Sequence, residues 1–195
     1  MNKTKLRLSL LLLLGSLALG SCSKSGGNEF TAEGTITDAA GKTLYLETTD
    51  TDEPQIIDSV TLDEKGRFRF RREAHSYPAF YRLRLGESFI PFAADSVTHL
   101  TLSASGKDLF STYKIESGDE ANKQIREIGQ LRTATDKAIE AILTQLNNGT
   151  LDRGVALARI DSLSTQLKNT LTSKYIFSDP KGAAAYYALF QSYLG

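Results

Sequence analysis

The segment Arg67-Phe68-Arg69-Phe70-Arg71 alternates arginine with phenylalanine without interruption. Successive side chains of a β-strand point to opposite faces, so strict period two predicts a strand with one buried and one solvated face. The preceding segment, Asp63-Glu64-Lys65-Gly66, predicts a tight turn in which Gly66 is free to adopt a positive φ. We therefore expect Phe68 and Phe70 to face a hydrophobic core.

Short segments with the composition of strands continue on both sides of this one. Polar turns separate them at near-regular spacing, which is typical of antiparallel sandwiches and barrels. Together with the arginine–phenylalanine strand they bring the predicted number to about eight strands. The further predicted strands are Phe30–Ile36, Thr43–Glu47, Ile56–Leu62, Ala79–Leu85, Ser88–Phe92, His99–Ser103 and Thr112–Glu116.

After Ser117 the hydrophobic period changes from two to three or four. Gly118-Asp119-Glu120 predicts a helix start, because acidic residues in the first turn favour the helix dipole. Asn147-Asn148-Gly149 predicts the end of that helix, and a second helix is predicted from Leu151 to Lys174. The short connection predicts an antiparallel helical hairpin. The two apolar stripes are Ile125, Ile128, Thr135, Ile139, Ile142 and Leu146, and then Ala156, Ile160, Leu163, Leu167 and Leu171.

A shorter helix is predicted at the end of the sequence. Asp179-Pro180 is typical of an N-cap followed by a first-turn proline, and the helix would run from Pro180 to Leu194. One face of it would carry Ala183, Tyr186, Phe190 and Tyr193. The predicted fold class is therefore α+β, with an antiparallel β-sandwich or barrel-like domain at residues 30–117 and a helical region at residues 118–195.

A basic and apolar leader precedes the β domain. Three basic residues come before the apolar run Leu8–Leu19, which is too short to span a bilayer as a stable helix. The run ends in Leu19-Gly20-Ser21-Cys22, which resembles the lipobox of bacterial lipoproteins. The resemblance implies cleavage between Ser21 and Cys22 and attachment of lipid to Cys22. The alternative is an ordinary secretory signal that contains a cysteine.

The leader predicts a location in the cell envelope. Residues 1–21 would be the signal peptide, and residues 22–29 a lipidated tether. The Gly/Ser-rich part of the tether, Ser23–Asn28, reaches at most about 20 Å, so the β domain would lie close to the membrane. Ser23, rather than an aspartate, follows the cysteine, which favours the outer membrane. We expect a lipid-anchored protein that faces the periplasm.

Composition excludes several classes of function. The chain has 23 basic and 23 acidic residues, and cleavage would remove three basic ones, which leaves 20 against 23 and a net charge of −3. A mildly acidic chain has no electrostatic basis for binding nucleic acid. Cys22 is the single cysteine, so its acylation would leave no thiol for redox chemistry or metal ligation.

Two groups of side chains are candidate binding residues. Arg67, Arg69 and Arg71 share one strand face and, with Arg72, could form an anion or phosphate-headgroup patch. The alternative for this group is a solvated outer face that protects a sheet edge. A second group could line a ligand groove, although aromatic residues on such faces are more often core. It comprises Tyr81, Tyr113, Tyr186 and Tyr187.

No catalytic residue, cofactor or metal site is predicted. The acidic loop Thr48–Glu53 lacks the ligand spacing of a calcium loop, so we interpret it as a solvated loop. The two histidines, His75 and His99, have no carboxylate cluster at a spacing that would complete a zinc site. The nucleophile-elbow motif Gly-X-Ser-X-Gly is absent around Ser59, Ser96 and Ser103, three serines of the β domain.

Turn glycines and core aromatic residues are distributed along residues 30–116. They are Phe30, Gly34 and Ile36; Gly41, Leu44, Tyr45 and Leu46; Asp58-Ser59-Val60; Asp63, Gly66, Phe68 and Phe70; Pro78, Phe80, Tyr81 and Leu83; and Phe92 with Asp95. In these motifs the chain resembles the β-rich N-terminal domain of uncharacterised function that precedes a thioredoxin-like domain in thiol–disulfide interchange lipoproteins. The helical segment resembles the linker of the same proteins. The resemblance implies a fold rather than an activity, because no Cys-X-X-Cys motif follows and no catalytic residue can be carried over.

These observations favour a membrane-anchored periplasmic lipoprotein that acts as a non-catalytic binding or scaffolding module. Its expected partners are the membrane, through the N-terminal lipid, and an envelope protein, through the last helix. The alternative is a truncated or split N-terminal part of a thiol–disulfide interchange protein whose thioredoxin-like domain is lost or encoded separately. A ligand-binding receptor in envelope maintenance is a third hypothesis.

Replacing Cys22 by alanine should abolish lipid attachment, because the thiol is the predicted acceptor of the acyl-bearing group. Cells that express the wild-type chain should incorporate radiolabelled palmitate into it, and cells that express Cys22→Ala should not. Equal labelling of the two chains would show that Cys22 is not the lipid attachment site.

Overall fold

The computed structural model describes residues 29–49 and 53–193. In this part the chain forms a β-sandwich followed by a layer of helices, which confirms the predicted α+β class and the expected number of strands. Cys22 lies outside the described residues, as do the predicted signal peptide and nearly all of the tether. The strands are β1 (Glu29–Thr37), β2 (Thr43–Thr48), β3 (Gln55–Thr61), β4 (Arg67–Glu73), β5 (Ala79–Leu85), β6 (Ser88–Ala94), β7 (His99–Ser105) and β8 (Lys114–Ser117).

Each layer of the sandwich is a four-stranded sheet. Sheet 1 has the strand order β4-β1-β7-β8, and sheet 2 has the order β3-β2-β5-β6. Among the pairings between described strands, five of six are antiparallel, but β1 and β7 run parallel, with Thr31 opposite His99. The expectation of an antiparallel domain therefore needs one correction. It arises because β7 enters sheet 1 from sheet 2, rather than through a hairpin from β1.

The tight turn before β4 connects the two sheets. Because β3 belongs to sheet 2 and β4 to sheet 1, the chain changes layers at residues 63–66. Gly66 has a φ of +74°, as predicted, and a β-carbon there would lie 2.0 Å from the carbonyl oxygen of Ile36. The Ile36 amide donates a hydrogen bond to the Gly66 carbonyl over 2.8 Å. Glycine is the residue that combines this backbone conformation with so close an approach.

The hydrophobic core lies between the inner faces of the two sheets. Phe68 and Phe70 of β4 are buried and the arginines of the same strand are exposed, which confirms the predicted faces. Phe30 of β1 packs against Tyr81 and Phe92 of sheet 2, with ring centroids 4.7 and 6.1 Å apart. Burial of each such side chain contributes about 1.5–3 kcal/mol.

A helical turn, α1 (Leu109–Thr112), precedes the last strand. The sequence predicted a strand from Thr112, but β8 begins at Lys114. The Asp108 side chain accepts a hydrogen bond from the Ser111 amide over 3.2 Å and so caps the turn. Aspartate side chains compete with strand hydrogen bonding in this way, which the hydrophobic pattern does not show.

Two long helices form the predicted hairpin. α2 (Glu120–Asn147) begins after the N-cap Asp119, and α3 (Arg153–Leu171) after the N-cap Asp152; both aspartates accept hydrogen bonds from amides of the first turn. α3 continues into a single π-helical turn, Thr172–Ile176. In the described part of the chain no helix is both long enough and apolar enough to cross a membrane.

The last helix, α4 (Ala183–Tyr193), begins later than predicted. Asp179 is not its N-cap, because the Asp179 carbonyl accepts a hydrogen bond from the Gly182 amide over 2.9 Å and closes a turn before the helix. The predicted end at Leu194 lies outside the described residues. The helix packs on α2, α3 and the π-helical turn through buried small residues, Ala183, Ala184, Ala185 and Ala188.

The predicted common face of α4 is therefore divided in the structure. Ala183 is buried, whereas Tyr186, Phe190 and Tyr193 are 58%, 60% and 80% exposed. The helix folds back on the hairpin. It does so through alanines, and the aromatic side remains in contact with solvent.

Substitutions in β4 should separate its two faces. Phe70→Ala should lower the free energy of unfolding by about 3–5 kcal/mol, because it leaves a cavity in the core. Arg69→Ala should change it by no more than about 0.5 kcal/mol, because the Arg69–Glu33 ion pair is solvent-exposed. Urea denaturation of the two variants measures both effects, and a reversed order would contradict the assignment of faces.

Candidate functional site

One buried side-chain amide fixes the helical region to sheet 2. Asn122, in the first turn of α2, is 2% exposed. Its Oδ1 accepts a hydrogen bond from the Ala93 amide over 2.9 Å, and its Nδ2 donates one to the Ala93 carbonyl over 2.8 Å. Because Ala93 belongs to β6, an edge strand, the Asn122 amide takes the place of a neighbouring strand.

Apolar contacts around this amide complete the attachment of the helices. Ile125 of α2 and Ala183 of α4 form a buried cluster with Ala93. Phe80 and Tyr187 are partly buried against the cluster, with their ring centroids 6.4 Å apart. Helices α2 and α4 therefore cover part of the outer face of β5 and β6.

A cleft of about 750 Å³ opens beside this attachment, between the outer face of sheet 2 and helices α2 and α4. Thr49 and Pro54 also line it. We call it the aromatic cleft, after the rings that line it: Phe80, Tyr81, Phe89, Phe110, Tyr186, Tyr187 and Phe190.

A glycine in α2 allows one of these rings to approach closely. A β-carbon at Gly129 would lie 2.8 Å from Cζ of Phe110, and both residues line the cleft. Glycine inside a helix costs about 1 kcal/mol relative to alanine. At this position alanine would clash with the Phe110 ring, which explains why glycine is present despite its cost to the helix.

The α4 wall of the cleft is its more exposed side. Tyr186 and Phe190 are more than half exposed although both line the cleft. Tyr187 lies deeper, and burial raises the pKa of its hydroxyl to about 12. Because α4 is attached through its alanines, the exposed rings are not needed to keep the helix in place.

Three of the four tyrosines considered from the sequence contribute to the cleft. Tyr186 and Tyr187 belong to its wall, and Tyr81 reaches it from the core of the sandwich. Tyr113 instead belongs to the β core, where the Arg126 guanidinium lies 5.3 Å from its ring centre. Burial raises the pKa of the Tyr113 hydroxyl, with a smaller effect from Tyr187.

A charged cluster lies on the outer face of sheet 2. The Glu47 carboxylate of β2 accepts hydrogen bonds from Nε of Arg82 over 2.5 Å and from Nε of Arg84 over 2.6 Å. The two guanidinium groups lie over the rings of Phe89 and Tyr45, at 4.9 and 4.4 Å from their centres. Burial of Glu47 opposes its ionisation, but the hydrogen bonds from Arg84 and Arg82 outweigh that effect and lower its pKa.

Two arginines give the aromatic cleft its polar character. Arg82 lines it from the sheet side and Arg132 from α2. Nε of Arg132 donates to Asp136 over 2.9 Å, and its Nη1 donates to the Gln191 carbonyl over 3.2 Å, which connects α2 with α4. Apolar walls with a few placed polar groups are typical of sites for small molecules.

The arginine patch considered from the sequence carries balanced charge. Arg67, Arg69 and Arg71 lie 2.7, 3.3 and 2.6 Å from a carboxylate oxygen, and Arg72 lies 2.9 Å from one. This pairing favours the alternative interpretation, a solvated outer face. The carboxylate partners, in the same order, are Asp63, Glu33, Glu29 and Asp58.

The two histidines have separate local partners. His75 stacks on Tyr77 with ring centroids 4.9 Å apart, and Nδ1 of His99 lies 2.8 Å from the Thr31 hydroxyl. Among the residues that the structure describes, no three His, Cys, Asp or Glu side chains are close enough together to hold a metal ion. The acidic loop Thr48–Glu53 is described only at its two ends.

Sequence reasoning missed the charged cluster and two phenylalanines of the cleft, Phe89 and Phe110. A signal for Arg82 and Arg84 was present, because they alternate with buried Leu83 and Leu85 as the arginines of β4 alternate with phenylalanines. That pattern places both arginines on an outer face. It does not reveal Glu47 as their partner, since the pairing depends on the register between β2 and β5.

Residues 30–124 match the model of a family described as a domain of unknown function (DUF4369). This supports the resemblance to a β-rich domain of unknown function, and the description names no activity. The match covers 95 of the 195 residues. It spans the sandwich and the first turn of α2, so it includes Asn122 but not α4. No curated protein matches the chain at a significant level.

Removing the charge of Glu47 should destabilise the fold in a pH-dependent way. Near neutral pH, Glu47→Gln should lower the free energy of unfolding by about 3 kcal/mol, because two guanidinium groups lose their buried counter-charge. The folded-state pKa of Glu47 is below its ordinary value of 4.5. The contribution of this carboxylate is therefore present above pH 4.5 and is lost as the pH falls through the folded-state pKa.

The measurement is urea denaturation of wild type and Glu47→Gln from pH 7 downward, in which the difference between them should shrink below about pH 4.5. Glu33→Gln is the matched control, because Glu33 also pairs with an arginine but its side chain is 42% exposed. It should change stability by at most about 0.5 kcal/mol at any of these pH values. Equal effects of the two substitutions would show that the Glu47 cluster has no special role.

Proposed function

We propose that this chain is a membrane-tethered, non-catalytic binding module that holds its ligand in the aromatic cleft. The observation that carries the proposal is the cleft itself, about 750 Å³ in volume and lined by seven aromatic residues. Sites for small molecules have volumes of about 300–1,000 Å³ and predominantly apolar linings. The volume and composition of the aromatic cleft both agree with such a site.

The exposed rings of α4 support a binding role. Tyr186 and Phe190 are more than half exposed, and Leu189 and Tyr193 extend the apolar surface beside them. Exposed apolar surface of this kind marks interaction sites, because each ring kept in water forgoes the free energy of burial. The alanine face already attaches the helix, so packing of α4 gives no reason for aromatic residues here.

The chemistry of the lining supports the non-catalytic part of the proposal. Aromatic rings bind through their faces, and the guanidinium groups of Arg82 and Arg132 carry hydrogen-bond donors only. Such groups bind and orient a ligand. A guanidinium group has no acceptor with which to act as a nucleophile or a general base.

The sequence of the leader supports the tether. Acylation at Cys22 would place the domain within about 20 Å of a membrane surface. Periplasmic exposure would follow from that anchor, which the palmitate labelling described above tests. The proposed contact for an envelope partner is the last helix.

The second candidate is the N-terminal part of a thiol–disulfide interchange protein. It depends on the resemblance of residues 30–116 and of the helical segment to such lipoproteins. An in-frame segment with Cys-X-X-Cys in the DNA beyond the Gly195 codon would support it over a separate binding module.

Binding of an uncharged apolar probe tests the proposed function. The fluorescence of N-phenyl-1-naphthylamine increases in apolar surroundings, and the chain has no tryptophan to interfere. The wild-type protein should bind the probe, and Phe190→Ser should bind it at least about fivefold more weakly, because aromatic anchors dominate such sites. The Phe190 side chain is 60% exposed, so the substitution should leave the fold intact.

Phe177→Ser is the matched control for this experiment. Phe177 is 73% exposed and lies outside the aromatic cleft, so its replacement removes the same surface chemistry elsewhere. It should leave probe affinity unchanged. Absence of binding by the wild type, or equal weakening in both variants, would refute the cleft as the binding site.

A further inference from the structure

We infer that the aromatic cleft binds a small amphipathic carboxylate, with its apolar body against the aromatic rings and its carboxylate on Arg82. The inference rests on the proposed function and specifies the ligand. It is carried by three features of the described residues: the unused donors of Arg82, the local excess of positive charge, and the blocked edge of β6.

Arg82 presents an unused edge to the cleft. Its Nε donates to Glu47, but in the described part of the chain neither terminal nitrogen, Nη1 or Nη2, donates to a protein atom. The side chain is 22% exposed, and the guanidinium lies 4.9 Å from the centre of the Phe89 ring. The Nη1–Nη2 edge of a guanidinium matches the two oxygens of a carboxylate. Glu47 and Phe89 therefore hold this edge in one orientation before any ligand binds.

The charge balance around Arg82 favours an anion. Glu47 is the only carboxylate among the described residues that pairs with Arg82 or Arg84. One negative and two positive groups leave a net charge of +1 on this cluster, counted without the acidic loop Thr48–Glu53. Arg132, on the other wall, has Asp136 as its partner. An excess charge beside apolar walls interacts more strongly than one in water, because the local dielectric constant is lower.

The rings of the cleft determine the size and apolar character of the ligand that fits there. Phe80 and Phe89 line the cleft from the sheet, and Tyr186 and Phe190 line it from helix α4 on the facing side. A chain or ring system of roughly ten carbon atoms fits within a cleft of this size. The expected ligand therefore combines a carboxylate with an apolar body, as fatty acids and aryl carboxylic acids both do.

The edge of β6 argues against an extended peptide as the ligand. Peptides that add a strand to a sheet need successive free N–H and C=O groups on the edge strand. Here Pro91 has no N–H, and both polar groups of Ala93 are bonded to Asn122. A ligand beside β6 therefore has to bind through its own side groups, which suits a small molecule.

Competition with the bound probe tests the inference. Decanoate and decan-1-ol have the same apolar chain, and only decanoate carries a negative charge. Decanoate should displace N-phenyl-1-naphthylamine from the wild type at about tenfold lower concentration than decan-1-ol, because hydrogen bonds between charged groups are the stronger ones. In Arg82→Gln this preference should disappear while probe binding persists.

Arg84→Gln is the matched control, because it removes the same charge from the same cluster. Besides its Nε bond to Glu47, Arg84 donates from Nη1 to the Gly86 carbonyl, and its guanidinium lies over Tyr45, outside the cleft. It should retain a preference for decanoate of at least about fivefold. Thermal unfolding curves should show that both variants are folded, since Glu47 keeps one arginine partner in each.

The outcomes separate this inference from the proposed function. If the wild type does not bind the probe, the proposed function fails. If the probe binds in a Phe190-dependent way but decanoate shows no preference, or if Arg82→Gln keeps the preference, only the carboxylate inference is overturned. A short peptide amide that displaces the probe more strongly than decanoate would also overturn it, because the carboxylate would then be unnecessary.

Discussion

The pair of hydrogen bonds between Asn122 and Ala93 determines where the helical layer lies on the sandwich. An amide offers one donor and one acceptor at the spacing of a peptide group, so it satisfies both polar groups of an edge residue. Leaving either group buried and unpaired would cost about 1–3 kcal/mol. With the start of α2 fixed in this way, Gly129 and Arg132 are carried to the cleft further along the same helix. α4 then packs against α2 and forms the second wall of the cleft.

Much of the fold could be predicted because its signals are local. The alternation at Arg67–Arg71 gave the two faces of β4, and Gly66 marked a turn that requires a positive φ. The hydrophobic stripes predicted the helical hairpin. The parallel pairing of β1 with β7 and the change of sheet at residues 63–66 could not be predicted, because the choice of strand partner depends on contacts far apart in the sequence.

The candidate site was much less predictable than the fold. Its walls come from β5, β6, α1, α2 and α4, which are separated by up to about a hundred residues. The pattern in α4 predicted an aromatic face, but it could not show that alanines on the other side attach the helix. Arg82 appeared in the sequence as one outward residue of a strand. Only the register that places Glu47 opposite Arg82 makes it a preorganised binding group.

The π-helical turn at Thr172–Ile176 has a consequence for how this architecture can vary. Such a turn accommodates one more residue than an α-helical turn, and so has the geometry of a single-residue insertion in a continuous helix. Gain or loss of one residue there would change by about 100° the direction in which the chain leaves α3. The hairpin and the sandwich would keep their contacts, while the loop before α4 would start from a different side of the hairpin and could shift α4 over the sheet. Descendants of this chain could therefore acquire new ligand preferences through insertions or deletions outside the cleft, with no substitution in the strands.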